Sequence, residues 1–177
     1  MQIRYNGEKG KGDSIMVYTV RKAEQTDLPR ILEIYASARH FMAQTGNPNQ
    51  WGTTHPPRQQ LEQDIRQGDL LVVEDDQGIH GVFFFSLGED PTYGQIDDGQ
   101  WHAQRPYGTI HRIASDGSGG ILGTAVAYGK ARSDYLRIDT HEDNHVMQHA
   151  LGKQGFRRCG TIHIADGSPR IAYDLLV

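Results

Sequence analysis

Cysteine and long apolar segments are scarce in this sequence. Its 177 residues include one cysteine, Cys159, so no intrachain disulfide can form and a reducing, cytoplasmic location is expected. The longest apolar stretch, residues 81–85 with Leu87 nearby, is far shorter than the ~20 residues that a membrane-spanning helix needs. The first residues also lack the apolar segment of a signal peptide. We therefore predict a cytoplasmic protein with no membrane partner.

Positive charge is not in excess either. Lys and Arg number 18 against 22 Asp and Glu, which gives a formal net charge of −4. Nucleic-acid-binding surfaces usually need a basic excess, so no nucleic-acid partner is expected. Hydrophobic residues make up 37% and charged residues 23%, which is typical of a globular chain, and the length fits one domain.

Residues 1–15 differ from the rest of the chain. They are polar and contain several glycines without periodicity, and a second methionine, Met16, follows them. We predict a disordered leader over residues 1–15 and a single domain over residues 16–177. Two interpretations stay open: translation starts naturally at Met16, or the segment is an ordinary N-terminal tail. The intact mass of natively expressed protein would separate them.

Apolar periodicity predicts a mixed α/β domain with the element order β-α-α-β-β-β-α-β-α-β-β. A long polar connection over residues 89–106 has a length that favours a functional loop. Alternation predicts strands over residues 16–21, 70–74, 79–87, 107–115, 135–139, 157–164 and 170–176. Helical spacing and capping residues predict helices over residues 28–45, 58–67, 121–132 and 144–154.

The strongest chemical signal is a strand, then a glycine-rich turn, then a helix. The turn DGSGG occupies residues 116–120, and the predicted helix begins at Ile121. The unpaired amides and the dipole of a helix start attract anions, and glycines let a phosphate approach the backbone. The turn lacks the lysine of a P-loop, and Leu122 breaks the G-x-G-x-x-G pattern. A simple flexible connection is the alternative.

Two segments resemble the acetyl-CoA signature of the GNAT N-acetyltransferases. The first is YGTIHRIAS at residues 107–115 with the glycine turn and GILG at 120–123; the second is LRIDTHEDN at 136–144, followed by Met147 and Gly155-Phe156. The likeness extends over residues 16–177 in element order. It implies a central mixed, mostly antiparallel sheet flanked by about four helices. It also implies direct transfer of acetyl from acetyl-CoA to an amine without a metal, and it is consistent with a homodimer.

The resemblance also implies the residues that hold acetyl-CoA. In the family the pantetheine arm pairs with the preceding strand, here near Ile113 and Ser115, and Asn144 would lie by the thiol. The pyrophosphate lies on amides of the turn, here Gly117, Ser118, Gly119, Gly120, Ile121, Leu122 and Gly123. The family pattern is Arg or Gln, two residues, Gly, one residue, then Gly or Ala. If it ends at Gly123, the glycines are shifted by one position.

Several side chains are candidates for proton transfer. Many family members place a tyrosine acid four residues before the Gly of Gly-Phe, but that position is Leu151 here, so another donor or water is needed. An amine must be neutral to attack, which calls for a base. His111 is the first candidate and His141 the second, with Asp139 orienting either. Each histidine could instead be an ordinary surface or core residue.

Three residues are candidates for the acceptor side of the cleft. Gln50 and Trp51 lie in a polar loop after the first helix, and Tyr93 lies in the long connection. Aromatic residues there predict a wall for the substrate or, alternatively, a satellite apolar cluster. The acceptor, an amine of a small molecule or peptide, stays open.

A second reading of residues 141–145 is a zinc site. His141-Glu142-x-x-His145 matches H-E-x-x-H, in which two histidines one helical turn apart bind zinc. The flanks predict a strand before this segment and a helix start within it, so the histidines would not share a helix face. A further alternative is a non-catalytic CoA-binding sensor, because the glycine turn is irregular and the tyrosine is missing.

Overall fold

The computed structural model describes residues 1–7 and 14–177, and within them eight strands form one sheet. The strands are β1 (Gln2–Gly7), β2 (Ser14–Lys22), β3 (Leu70–Asp75), β4 (Gly78–Leu87), β5 (Gly108–Ser115), β6 (Tyr135–Thr140), β7 (Arg157–His163) and β8 (Pro169–Leu176). The α-helices are α1 (Leu28–Gln44), α2 (Arg58–Gln67), α3 (Ile121–Lys130) and α4 (His145–Lys153). Within the described residues, no helix is long and apolar enough to cross a membrane.

The strand order is β1-β2-β3-β4-β5-β6-β8-β7. Every neighbouring pair is antiparallel except β5 and β6, which run parallel. The predicted mixed, mostly antiparallel sheet with four helices is therefore confirmed.

The helices cover both faces of the sheet. Successive side chains of a strand point to opposite faces, so a strand between two helical layers is apolar throughout. In β3, Leu70 and Val72 pack in the cluster beneath α1 and α2, whereas Leu71 and Val73 pack in the cluster beneath α3 and α4. This arrangement separates a front face, carrying α1 and α2, from a back face, carrying α3 and α4.

The N-terminal segment differs from the prediction. Gln2–Gly7 pairs with β2 along its whole length, and Ile3 is 6% exposed in the core of the back face. The disordered leader is therefore wrong for residues 2–7 and 14–15, because edge pairing and burial of Ile3 order a segment without apolar periodicity. Residues 8–13 lie outside the described residues, and a natural start at Met16 stays a prediction.

The long connection between β4 and β5 is packed against the front face. The Trp101 indole donates to the carbonyl of Tyr93 at 3.2 Å, and the Arg137 guanidinium lies 4.0 Å from the ring centres of Trp101 and Tyr107. The amide of His102 donates to the buried Asp174 carboxylate at 2.8 Å. These contacts hold the segment beside the end of β6.

Candidate active site

A groove opens where the two parallel strands separate. β5 and β6 pair at Gly108↔Leu136 and Thr109↔Arg137, and beyond these pairs they diverge. The gap between them is a cavity of about 1110 Å³. Ten of the residues predicted from the sequence line it: Gln50, Trp51, His111, Ile113, Ser115, Gly117, Ser118, Leu122, Asp139 and Asn144.

A bulge in β5 shapes the wall of this groove. Arg112 and Ile113 together oppose Phe83 of β4, and Arg112 has a φ of 49°. A bulge bends its strand and takes backbone groups out of the ladder. The Tyr35 hydroxyl donates to the Arg112 carbonyl at 2.7 Å, and the Arg112 guanidinium pairs with Asp64 at 2.6 Å. Side chains from α1 and α2 thus fix the irregular backbone.

The glycine turn closes the far end of the groove. Gly117 and Gly120 have φ of 104° and 82°, which side chains rarely adopt, so the turn needs glycine at both positions. The Gly117 amide donates to Ser115 Oγ at 3.1 Å, and the Ser118 amide donates to Asp116 Oδ1 at 3.0 Å. Both amides are thus used inside the turn in this structure, and their phosphate contacts stay a prediction.

The remaining predicted amides are available to an anion. Thr124 is the first residue of α3 whose amide bonds back, to the carbonyl of Gly120 at 2.9 Å. In the part of the chain that the structure describes, no acceptor is bonded to the preceding amides, which are those of Gly119, Gly120, Ile121, Leu122 and Gly123. A helix start of this kind is a general anion site.

The turn also carries a carboxylate, which two basic side chains balance. Arg30 of α1 pairs with Asp116 at 2.6 Å, and His80 of β4 lies 3.1 Å from the same oxygen. His80 also bonds to Asp75 at 2.8 Å. Burial lowers the pKa of His80, but the bonds to Asp75 and Asp116 outweigh it, so the pKa is raised. The negative charge of Asp116 is thus balanced by these two basic side chains.

A cluster of acid and base groups occupies the near end of the groove. His111 Nε2 lies 2.8 Å from Asp90 Oδ2, and its Nδ1 lies 3.3 Å from Asp139 Oδ1. The Tyr93 hydroxyl donates to the same Asp139 oxygen at 2.8 Å. Both ring nitrogens of His111 thus face carboxylates, which requires the imidazole to donate from both.

The electrostatics of this cluster follow from that geometry. Burial lowers the pKa of His111, but hydrogen bonds to Asp139 and Asp90 outweigh it and raise the pKa to about 9. Burial raises the pKa of Asp90, and the bond to His111 outweighs it and lowers the pKa to about 2. The pKa of Asp139 is lowered for the same reason. At neutral pH the cluster therefore holds one imidazolium and two carboxylates, a net charge of −1.

The loop after α1 is joined to the start of α4. Asn144 Oδ1 accepts from the Met147 amide at 3.1 Å and so caps the helix, while its Nδ2 donates to Gln50 Oε1 at 2.9 Å. Trp51 packs edge-on against the buried Tyr35 with 5.6 Å between ring centres. The loop after α1 is thus fixed beside the groove, and contact of Gln50 and Trp51 with the acceptor stays a prediction.

The comparisons with known proteins agree with this arrangement. A crystal structure of a GNAT-family acetyltransferase from Streptococcus agalactiae 2603 is 30% identical, with a TM-score of 0.79 over 90% of this chain and 95% of that one. This chain belongs to the GNAT family of acetyltransferases. Its fold assigns it to acyl transfer. No family model and no curated protein matches the sequence.

Two more distant GNAT-like structures share the fold. A GNAT-family acetyltransferase from Listeria monocytogenes 4b F2365 is 17% identical, with a TM-score of 0.66 over 92% of this chain and 96% of that one. A ribosomal-protein-alanine N-acetyltransferase from Brucella melitensis is 20% identical, with a TM-score of 0.59 over 90% and 99%. At these identities the likeness concerns architecture and not the acceptor.

Two residues predicted for this GNAT site lie elsewhere. Tyr93 is 2% exposed and packs 5.2 Å from Trp101, so it supports Asp139 from beneath and does not line the acceptor wall. His141 does not line the groove, and its Nδ1 accepts from the Asp143 amide at 3.2 Å. His141 is therefore not placed to act as the base.

The zinc motif has no helical geometry in this GNAT chain. β6 ends at Thr140 and α4 begins at His145, so His141 and His145 lie on different elements. Among residues 1–7 and 14–177, three metal-ligand atoms come within 4.8 Å of one another at a different place, formed by His102, Cys159 and Asp174. The three residues already bond to one another there, with His102 Nδ1 2.8 Å from Asp174 and 3.4 Å from the Cys159 sulfur.

Two groove residues, and one residue that pairs with the glycine turn, were missed from the sequence. Asp90 and Arg30 carry no motif, although Asp90-Pro91 is a turn start that placed the carboxylate at the beginning of a short 3-10 helix. Arg170 also lines the groove. Its signal was a charged residue at the start of an otherwise apolar strand, where burial of the charge is costly without a partner.

Proposed function

We propose that this GNAT protein is an acetyl-CoA-dependent N-acetyltransferase acting on an amine of a small molecule or peptide. The observation that carries the proposal is the groove itself. One end has helix-start amides without acceptors, and the other has the Asp90–His111–Asp139 cluster. A long anionic cofactor and a cationic acceptor fit opposite ends of such a groove.

The diphosphate of acetyl-CoA would bind the amides of residues 119–123, which the helix dipole makes favourable for anions. The pantetheine arm would follow the exposed edge of β5 near Ile113 and Ser115, where β6 has diverged. Asn144 lies across the groove from this edge. This path brings the thioester between the β5 bulge and the cluster.

Charge guides the acceptor in this proposal. An amine arrives as an ammonium ion, which the net −1 cluster attracts, and it must lose a proton before attack. Since His111 is already protonated at neutral pH and the pKa values of Asp90 and Asp139 are lowered, the proton passes through water to solvent or to His111 in its deprotonated fraction. The neutral amine nitrogen then bonds to the thioester carbon, the C–S bond breaks, and the nitrogen loses its second proton through water to the departing thiolate. A backbone amide of the bulge polarises the carbonyl, and water protonates the thiolate, since Leu151 offers no proton.

The test replaces Gly120 by valine. Because Gly120 has φ 82°, a side chain there forces the turn to rearrange and misaligns the amides that follow it. Charge-assisted hydrogen bonds contribute about 1.5–3 kcal/mol each, so we expect at least about tenfold weaker binding of acetyl-CoA by calorimetry. Gly46→Val is the control, because Gly46 has φ 89° with nothing within 4 Å and lies after α1.

Thiol release over a panel of amines tests the transfer step. Turnover with at least one amine is expected of an enzyme, whereas binding of acetyl-CoA without turnover on any amine would indicate a sensor. Equal affinity of the Gly120→Val and wild-type proteins for acetyl-CoA would contradict the placement of the diphosphate.

A further inference from the structure

The groove contains a buried arginine that lacks a carboxylate partner. Arg170, near the start of β8, is 8% exposed and lines the cavity. Its Nη1 donates to the carbonyl of the preceding Pro169 at 2.8 Å. Within residues 1–7 and 14–177, its guanidinium forms no ion pair.

The lack of an ion pair is costly for a buried charge. A guanidinium carries five N–H donors in a planar fork, and a charge removed from water is costly unless it is paired and hydrogen-bonded. The half-buried Arg112 of the groove pairs with Asp64 at 2.6 Å, and the buried Arg137 stacks on the rings of Trp101 and Tyr107 at 4.0 Å. Arg170 leaves most of its donors to whatever enters the cavity.

Arg170 lies on the acceptor side of the sheet. Asp139 is in register with Ala172, and residues 170, 172 and 174 of β8 point to the same face because a strand alternates. The intervening Ile171 and Tyr173 pack with α3 on the back face. The diphosphate turn leads into α3 on that opposite face, so Arg170 is not a second phosphate ligand.

The charge of Arg170 shifts the pKa values of titratable groups on both walls of the groove's near end. Burial raises the pKa of Asp139 and the bonded His111 lowers it, and the charge of Arg170 lowers it further. Burial lowers the pKa of His55, on the loop after α1, and nearby arginine charges that include Arg170 add to this effect. His55, Asp139 and Arg170 all line the same cavity, so the charge of the guanidinium acts on both.

Besides Asp139, a second carboxylate comes near Arg170 without pairing to it. Asp166 is exposed, and its Oδ1 accepts from the amide of Ser168 at 2.8 Å. It is therefore held by its own turn at the rim of the groove and does not satisfy the buried guanidinium.

We propose that Arg170 binds a carboxylate of the acceptor, so that the acceptor is a free amino acid. The inference rests on the proposed acetyl transfer. The α-amine is directed to the Asp90–His111–Asp139 cluster with its net negative charge, and the α-carboxylate pairs with the guanidinium fork a short distance away. Apolar lining from Trp51 and Phe84 receives the side chain.

The experiment compares each of the common L-amino acids with its α-carboxamide in the thiol-release assay. We expect the best acid to exceed its amide in kcat/KM by about 10- to 150-fold, the range of one charge-assisted interaction. In Arg170→Gln that preference falls toward unity, chiefly through KM for the acid, while the amide changes less than about threefold. Arg157→Gln removes an exposed arginine from the neighbouring β7 and keeps the wild-type preference.

Each outcome decides a different point. If the wild-type protein uses amides as well as acids, or Arg170→Gln slows both alike, the carboxylate site is refuted while acetyl transfer stands. If acetyl-CoA binds but no amine in either series is acetylated, the proposed function fails and the inference with it. If Arg170→Gln lacks a cooperative thermal transition, Arg170→Lys and the wild-type comparison still decide, because lysine keeps the charge but loses the fork and should give an intermediate preference.

Discussion

The buried His111 should make the stability of this protein depend on pH. Its pKa is raised from 6.5 to about 9 in the folded state, while the unfolded chain keeps the ordinary value. One pKa unit corresponds to about 1.36 kcal/mol, so the difference is worth about 3 kcal/mol. The side chain is 18% exposed, which leaves little solvent to screen the interaction. The lowered pKa values of Asp90 and Asp139 express this same interaction energy and add no further stabilisation.

The direction of the pKa shift of His111 determines the pH range in which the stabilisation is present. A folded-state pKa above the unfolded value means that the contribution is fully present below pH 6.5 and is lost as the pH rises to about 9. Urea denaturation at about pH 6 and about pH 9.5 measures it. We expect the free energy of unfolding of the wild-type protein to fall by about 3 kcal/mol more than that of His111→Asn over this interval.

The control removes a histidine that lies outside the cluster. His40 is exposed on α1, so His40→Asn should follow the wild-type pH dependence. Two results would refute the assignment of an imidazolium between two carboxylates. One is a wild-type free energy of unfolding that is unchanged between the two pH values. The other is a His111→Asn protein whose free energy of unfolding falls as much as that of the wild type.

Two further substitutions test the supports of the groove. Tyr35→Phe leaves the buried carbonyl of Arg112 without its donor and should cost about 1–3 kcal/mol of unfolding free energy in urea; an unchanged value would show that the bulge does not need this bond. Asn144→Ala removes the cap of α4 and should cost about 1 kcal/mol, whereas Asn144→Asp keeps the cap but loses the bond to Gln50. Asn144→Asp should therefore keep the free energy of unfolding of the wild type but raise KM for the acceptor. If Asn144→Asp and the wild type have equal KM values, the bond to Gln50 takes no part in substrate binding.

Most of the fold could be predicted from the sequence, because the patterns that indicate its strands and helices are local. The β3–β4 hairpin follows from two apolar runs around a short polar turn, and the α3 start follows from glycines that the backbone dihedrals require. The exception is β1, which has no apolar period and is ordered by pairing with β2. Edge pairing depends on a neighbouring strand and leaves little trace in its own segment.

The chemical roles of the site residues could be predicted less well, because each role depends on partners that are distant in the chain. His111 was predicted as a base from its strand position, but its protonation is set by Asp90 and Asp139, which lie 21 and 28 residues away in the numbering. Tyr93 was predicted as a substrate wall, yet its hydroxyl is turned to Asp139 beneath the surface. Residue type indicated that these side chains matter, and tertiary packing decided what each one does.

The two ends of the groove differ in what a mutation can change. The proposed cofactor end is built from main-chain amides of one turn, so its anion binding should survive most side-chain substitutions that preserve the glycine dihedrals. The proposed acceptor end is built from side chains of separate segments, which include Trp51 after α1, Asp90 in the long connection and Arg170 in β8. The bulge that sets the spacing between the ends is held by Tyr35, which lines neither. Acceptor choice can therefore change through single side chains without disturbing the cofactor end, and exchange of Arg170 is the substitution that should reveal this independence.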